Sequence, residues 1–351
     1  MWVVGIWILG ATGLQAAPEN FNPSLRLPPP PPPPPPKPPK HFNPPNESRE
    51  SVTPIAVLEN LQTDFRNDND NFHQHNQFIE PTFQFRLRNG NKLRFKTGFN
   101  SFSQSGIESI TNIPIQVGWQ GKIDQVTLQA AGGVDLFNRL PTALNLNAQV
   151  EVPISLSVTP SGRLQSGVVL SSALEYGPYK FNAQTLDNQI TAWRFGPNLY
   201  WQINRDTSFF SLFRLGNYSD GNYEQQSFTR LERKIGQFSL AANLFTWNYG
   251  RDLEKKSGYF SPPDFLVYNG EVAWEADIFK FLRCRLAANL GRQRLKGKFD
   301  NANTYQARCT AKVSRNVELD LGYQFSNVRN QDTGGSAYND QALTGQLRVK
   351  F

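Results

Sequence analysis

The side chains best suited to acid, base or nucleophilic chemistry are few: His41, His73, His75 and the cysteines Cys284 and Cys309, in a chain of 351 residues. Hydrolysis in a β-rich protein needs a histidine that activates a serine or is paired with a carboxylate. All three histidines lie in polar, loop-like stretches, so no catalytic constellation emerges and the chain does not read as an enzyme. His73-Gln74-His75 is at best a weak metal-binding pair, and solvated loop histidines explain it better. No metal and no cofactor is therefore expected. The cysteines form no CxxC unit, which removes zinc-ribbon and thioredoxin-type chemistry.

Charge is the next candidate. The net charge is +7 and the isoelectric point near 9.4, a balance that ordinarily raises nucleic acid as a partner. Here the bases neither cluster on a helix nor interleave with stacking aromatics, so no nucleic acid is expected. They recur instead at alternate positions of extended segments. Arg86, Arg94, Lys96, Arg194, Arg283, Arg285, Arg308, Lys312, Arg348 and Lys350 fall on one face. Asp135, Glu151, Glu271, Glu275, Glu318 and Asp320 share it. A turn at Ser314 to Asn316 would set Lys312 against Glu318 and Arg308 near Asp320, as cross-strand pairs. Two readings stay open: charge ladders that brace a sheet, or a basic excess that favours an anionic polymer.

Those faces require strands. Leu144, Leu146, Ala148, Val150, Val152, Ile154, Leu156 and Val158 alternate with Asn145, Asn147, Gln149, Glu151, Ser155 and Ser157. Trp193, Phe195, Leu199, Trp201 and Ile203 repeat the pattern, as do Val317, Leu319, Leu321, Tyr323 and Phe325. These runs are longer than ordinary globular strands. About 16 such segments can be counted, and bacterial outer-membrane barrels use even numbers, apolar side out and polar side in. A soluble sandwich would expose too much apolar surface on so many long strands. The mean hydropathy of −0.50 fits a barrel, because lumen and loop residues offset the lipid-facing half. Beyond the N-terminus no run approaches the roughly 20 apolar residues of a spanning helix.

The prediction is thus an all-β fold, a transmembrane antiparallel β-barrel of about 16 strands in the outer membrane. Tight turns are expected at Asn89-Gly90, Gln120-Gly121, Pro160-Ser161-Gly162, Asn204-Arg205-Asp206, Ile235-Gly236, Asp277-Ile278-Phe279 and Ser314-Arg315-Asn316. Longer outer loops are expected at Asn67 to Asn76, Asn100 to Glu108, Gly177 to Asn188, Gly216 to Glu224, Gly250 to Pro263 and Arg329 to Asp340. A first strand near Thr53 to Thr63 is needed to leave both termini in the periplasm. Trp119, Trp201 and Trp274 sit beside short turns and form an aromatic girdle with Phe351, whose terminal position closes the outward row of "TGQLRVKF". Outer-membrane lipids are the implied surroundings. Residues 1–17 read as a signal peptide cleaved near Ala17, whose missing basic n-region places the true start upstream. Residues 18–50 form a proline-rich periplasmic linker, and residues 51–351 the barrel. The run from Pro28 to Pro36 spans roughly 28 Å as polyproline II.

A hairpin centred on Lys296-Gly297 would set Cys284 opposite Cys309, with Arg285 opposite Arg308 on the polar face. Facing Cβ atoms lie about 4.5 to 5.5 Å apart, and a disulfide needs about 3.5 to 4.5 Å. A bridge and a pair of independent lipid-facing thiols are both compatible with that spacing.

"GYFSPPDFL", Gly258 to Leu266, leads into "VYNGEVAW", Val267 to Trp274. It resembles the G-[YF]-[YF]-S-P segment in the C-terminal outer-membrane barrel of the cellulose synthase C family, the exopolysaccharide export porins. The hairpin "FQFRLRNGNKLRFKTG", Phe83 to Gly98, is similar to that family's first tight turn. The resemblance implies a porin that passes an exopolysaccharide, cellulose-like or anionic, with periplasmic or inner-membrane synthase components as partners. Where the family carries helical tetratricopeptide repeats, this sequence has the proline tract. The loop Gly250 to Pro263 is expected to fold over the mouth, with Tyr259, Phe260 and Phe265 stacking on sugar rings. A general diffusion porin and, more remotely, a barrel enzyme are the other function classes weighed.

Overall fold

The computed structural model describes residues 55–70, 73–158, 164–329 and 336–351. The strands are β1 (Ala56–Asp70), β2 (Gln74–Leu87), β3 (Lys92–Lys96), β4 (Phe99–Gln104), β5 (Ile107–Ile123) and β6 (Val126–Phe137). Then follow β7 (Ala143–Val158), β8 (Leu164–Pro178), β9 (Thr191–Asn204), β10 (Thr207–Tyr218), β11 (Tyr223–Ile235) and β12 (Phe238–Tyr249). The chain ends with β13 (Phe265–Phe279), β14 (Leu282–Leu295), β15 (Lys298–Lys312), β16 (Val317–Arg329) and β17 (Ser336–Lys350). Each strand is antiparallel to its neighbours, and β1 pairs with both β2 and β17, so the sheet closes. Closure removes the edges that a hydrocarbon environment forbids.

The seventeen segments make 16 staves, because β3 and β4 lie end to end between β2 and β5. The break falls at Thr97-Gly98, between Pro81 on one side and Pro114 on the other. Neither proline has an N–H to give to a ladder. A Cβ on Gly98 would lie 2.3 Å from the Ile79 carbonyl oxygen, so the interrupted stave needs a glycine there.

The outward rows are apolar and exposed, as at Val117, Leu144, Leu240 and Leu290, while the alternate rows face inward. The first strand lies further along than Thr53 to Thr63, at Ala56–Asp70. Its register shifts between Leu58 and Asn60, so the outward row moves from Ala56 and Leu58 to Leu61, Thr63 and Phe65. That change of phase is why its periodicity is poor.

Several connections also differ from expectation. β5 continues through Gln120-Gly121 to a turn at Asp124, and β13 continues through Asp277 to Phe279. Asn67 to Asn76, Asn100 to Glu108 and Gly216 to Glu224 are mostly strand, because polar residues extend the staves beyond the apolar belt, where water solvates both faces. Pro160-Ser161-Gly162 lies outside the described residues, as does part of Arg329 to Asp340. The turn at Asn204 holds as an Asx turn: its side-chain oxygen accepts from the Asp206 and Thr207 N–H groups, both at 3.0 Å. Among the described connections at the outer end, residues 179–190 and 250–264 are the long ones.

Candidate functional site

Both long loops fold into the outer end of the lumen and pack on each other. The first carries a short helix, α1 (Ala183–Asp187), whose N-cap Asn182 accepts from the Thr185 N–H at 2.8 Å. The amide of Asn182 donates to the Gly258 carbonyl at 2.7 Å, which ties this loop to the second. Asn76 donates to the Phe181 carbonyl at 3.1 Å, and the Gln184 N–H donates to Gln104 at 3.2 Å. Lys180 forms an ion pair of 2.6 Å with Asp135, which also accepts from Asn112 and Asn145. Ala183 and Leu186 complete an apolar cluster with the inward-facing Phe102 and Ile110.

The second loop contains α2 (Glu254–Ser257), ended by Gly258 in the left-handed region at φ +85°. A Cβ on Gly258 would lie 2.6 Å from Gln184, so glycine is needed both for the turn and for the approach of the loops. Ser257 and Tyr259 donate to Asp220 at 2.7 and 3.0 Å, and Asn222 donates to the Tyr259 hydroxyl.

This geometry corrects the role expected of the aromatic residues in that loop. Tyr259 and Phe265 are 0% and 1% exposed, and they form the core of the plug rather than a surface for sugar rings. The reason is the inward row of the wall beneath them. On β12 it changes from Ser239, Ala241 and Asn243 to Phe245, Trp247 and Tyr249, which gives the loops an apolar bed. Tyr259 stacks on Tyr218 at 5.1 Å, and Phe260 packs on Trp247 and Phe265. Burial pushes the Tyr179 hydroxyl up to about 12, and the Tyr259 hydroxyl also well above an ordinary phenol.

Arg194 does not line an open passage. It is buried, and its guanidinium meets Glu224 with Nε and Nη2 at 2.9 and 2.8 Å. Glu224 also accepts from Tyr218 and from the Trp247 indole, each at 2.8 Å, so its oxygens are fully satisfied. Sequence reasoning did not single out Glu224 or Lys180, and it gave Asp135 no role beyond an acid on the polar face. Their only signal was an acid or base in a polar strand or loop.

The inner wall is braced by its own charges. Lys96 pairs with Glu80 at 2.7 Å, Arg285 with Glu271 at 2.6 Å, Arg308 with Asp320 at 2.7 Å and Arg348 with Glu318 at 3.1 Å. Arg94 donates to Gln84, Gln120 and Gln129. Arg283, at the rim, pairs with Asp277 at 2.8 Å. Lys312 is opposite Glu318 in register, whereas the carboxylate of Glu318 is taken by Arg348. Arg86 is exposed at the rim. The basic excess therefore does not reside in Arg283, Arg285 and Arg308. Beneath the first loop a cavity of about 100 Å3 is lined by Glu80, Lys96, Gln116, Asn147, Glu175 and Arg194, among others.

On the outer face, Trp119, Trp201 and Trp274 stand close to the inner turns, and Phe351 is 69% exposed. The Trp119 ring covers Gly121, where a Cβ would lie 2.2 Å away. Cys284 and Cys309 face each other in register, with Arg285 opposite Arg308, and are joined by a disulfide. Among the described residues, no group of His, Cys, Asp or Glu is placed to hold a metal ion. His75 accompanies Asn69 on an exposed part of β1 and β2.

No protein-family model matches this chain, and no curated protein matches it. Among solved structures it is similar to a bacterial polysaccharide outer membrane secretin, with TM-score 0.66 and 12% identity, over 84% of this chain and 98% of that one. It is also similar to CdiB from Acinetobacter baumannii, with TM-score 0.51 and 8% identity, over 85% of this chain and 60% of that one. These identities speak to fold alone. The closed sheet of 16 staves and the apolar outer rows define an outer-membrane β-barrel, and the outer membrane is where the chain resides. The inward row of its inner half is polar, and its outer end is plugged by the two loops.

Proposed function

We propose that this barrel is a gated conduit that passes an exopolysaccharide to the cell exterior. The observation that carries the reading is the contrast along the lumen: a self-paired, amide-lined wall below and a plug of two interlocked loops above. Gln116, Gln129, Asn147, Gln149 and Asn198, half-buried on the inward rows, supply donors and acceptors to hydroxyl groups without fixing a charge. A closed mouth suits a polymer channel that opens for its cargo and disfavours a general diffusion porin. The fold shared with the polysaccharide secretin and the G-Y-F-S-P segment shared with the cellulose synthase C family support the same reading. The barrel supplies no catalytic step; synthase components in the periplasm or inner membrane drive the polymer.

The test is secreted polysaccharide in a strain lacking the gene. Loss of secreted polymer, restored by the intact chain, is expected. Normal secretion with altered uptake of small solutes would overturn the proposal in favour of a diffusion porin.

A further inference from the structure

At the inner rim, five of the eight described strands that run down to it reach the same pair: a base on the lumen row, then an apolar residue on the lipid row. The pairs are Arg86-Leu87, Lys122-Ile123, Lys234-Ile235, Lys312-Val313 and Lys350-Phe351. The five bases are exposed, and Ile123, Ile235, Val313 and Phe351 are 60%, 56%, 66% and 69% exposed on the outer side. None of the five bases is held in an ion pair among the described residues. Of the neighbouring acids, Glu59 is occupied by Lys92, Glu232 by Arg230, Asp277 by Arg283 and Glu318 by Arg348, while Glu151 stands on the lumen row near Lys122 without forming an ion pair with it. The outer mouth is different, since Lys180, Arg139, Lys296 and Arg294 each pair with an aspartate there.

We propose that this collar is an entry site for a polyanion, so that the exported polysaccharide carries acidic groups. The inference rests on the conduit reading and adds the substrate's charge. The alternation decides between occupants. Lipid phosphates would meet the outer row, which is apolar at this height, and a docked acidic domain would first meet the turn tips Arg88, Arg205, Lys280 and Arg315. A chain drawn into the opening meets the lumen row. Lys312, Lys350, Arg86 and Lys122 stand on alternate staves, about 10 Å apart, so their fields overlap partly at physiological salt, where the Debye length is about 8 Å, and fully at low salt. They raise the local concentration of an opposite charge and hence its rate of entry. Beyond the collar Arg94 is bonded to amides and Lys96, Arg230, Arg285, Arg308 and Arg348 are paired with acids, while Arg214 is buried beside Arg194 under the plug, so the polymer is attracted at the entrance more than along the wall, as conduction requires.

The test is binding of fluorescent oligogalacturonate, and of a maltooligosaccharide of equal length, to the full barrel in nanodiscs at low and high salt. Expected is salt-sensitive binding of oligogalacturonate, weakened on the order of tenfold at low salt by Arg86→Gln, Lys122→Gln, Lys234→Gln, Lys312→Gln and Lys350→Gln combined. Heat-modifiability shows that the variant barrel is closed. Replacing Arg88, Arg205, Lys280 and Arg315 by Gln should change binding less than the lumen-row set does. A larger effect of these tips would show that the occupant docks outside the mouth and would overturn the inference. Equal binding of both sugars, unchanged in the lumen-row variant, would also overturn it and leave the conduit reading standing. Binding of neither sugar would count against both.

Discussion

Replacing Lys180 by Met removes, among the described residues, the buried ion pair that links the first loop to the wall of the barrel. Lys180 Nζ lies 2.6 Å from Asp135, whose side chain is 0% exposed. Without its partner, the Asp135 carboxylate is left with two amide donors, Asn112 and Asn145. Breaking a buried pair costs about 3 to 5 kcal/mol, and the remaining donors argue for the lower end, about 3 kcal/mol. Because the pair exists only when the loop is seated, that cost falls on the closed state. It corresponds to a shift of roughly a hundredfold in the closed-to-open ratio. Single-channel recording in planar bilayers is the assay: wild type stays closed for most of the record, and Lys180→Met shows long open events. Adding Asp135→Asn should restore much of the closure by removing the orphaned charge, and Lys255→Met, on an exposed turn of α2, should change nothing. A folded Lys180→Met barrel with the wild-type open probability would refute the idea that this pair holds the plug.

Gly258→Ala should loosen the plug by about 1 to 2 kcal/mol, since alanine is disfavoured at φ +85° and its Cβ would press on Gln184; the same recordings would show it as more frequent opening. Alkaline pH should open the plug through its tyrosines. Tyr179 is raised to about 12, so its contribution is complete below pH about 10, where a free phenol titrates, and is lost as pH climbs toward 12. Open probability flat across that window would show that Tyr179 is not confined to the closed state. Mass spectrometry of the unreduced protein should find no free thiol, and Cys284→Ala with Cys309→Ala should lower stability by at most about 3.5 kcal/mol for a loop closed over 25 residues, read from the midpoint of heat-modifiability. Deleting Phe351 should sharply reduce the amount of heat-modifiable barrel in the outer membrane, and unchanged levels would separate this residue from assembly.

Much of the wall was legible in the sequence because a strand repeats every two residues and a barrel has one apolar and one polar side. That rule alone placed Leu144 and Leu146 outward and Asn145 and Asn147 inward. One turn centre, Lys296-Gly297, was enough to set Cys284 against Cys309, since antiparallel pairing propagates from the turn without further information. The rule failed where the backbone broke phase, at the bulge after Leu58 and at the interruption between Pro81 and Pro114. It was silent about which loops turn inward; length and the Tyr259-Phe260 pair marked Gly250 to Pro263, while the loop of residues 179–190 carried no such pair. Tertiary structure decided that through contacts between distant positions: Asn76 with Phe181 across 105 residues, and Asn182 with Gly258 across 76. A loop's own composition does not say what surface awaits it. Only when the barrel closes do Phe245, Trp247 and Tyr249 form an apolar bed in one place, with Asp135 exposed to a single lysine, and the loops then lose less by burying their polar groups there than by staying in water.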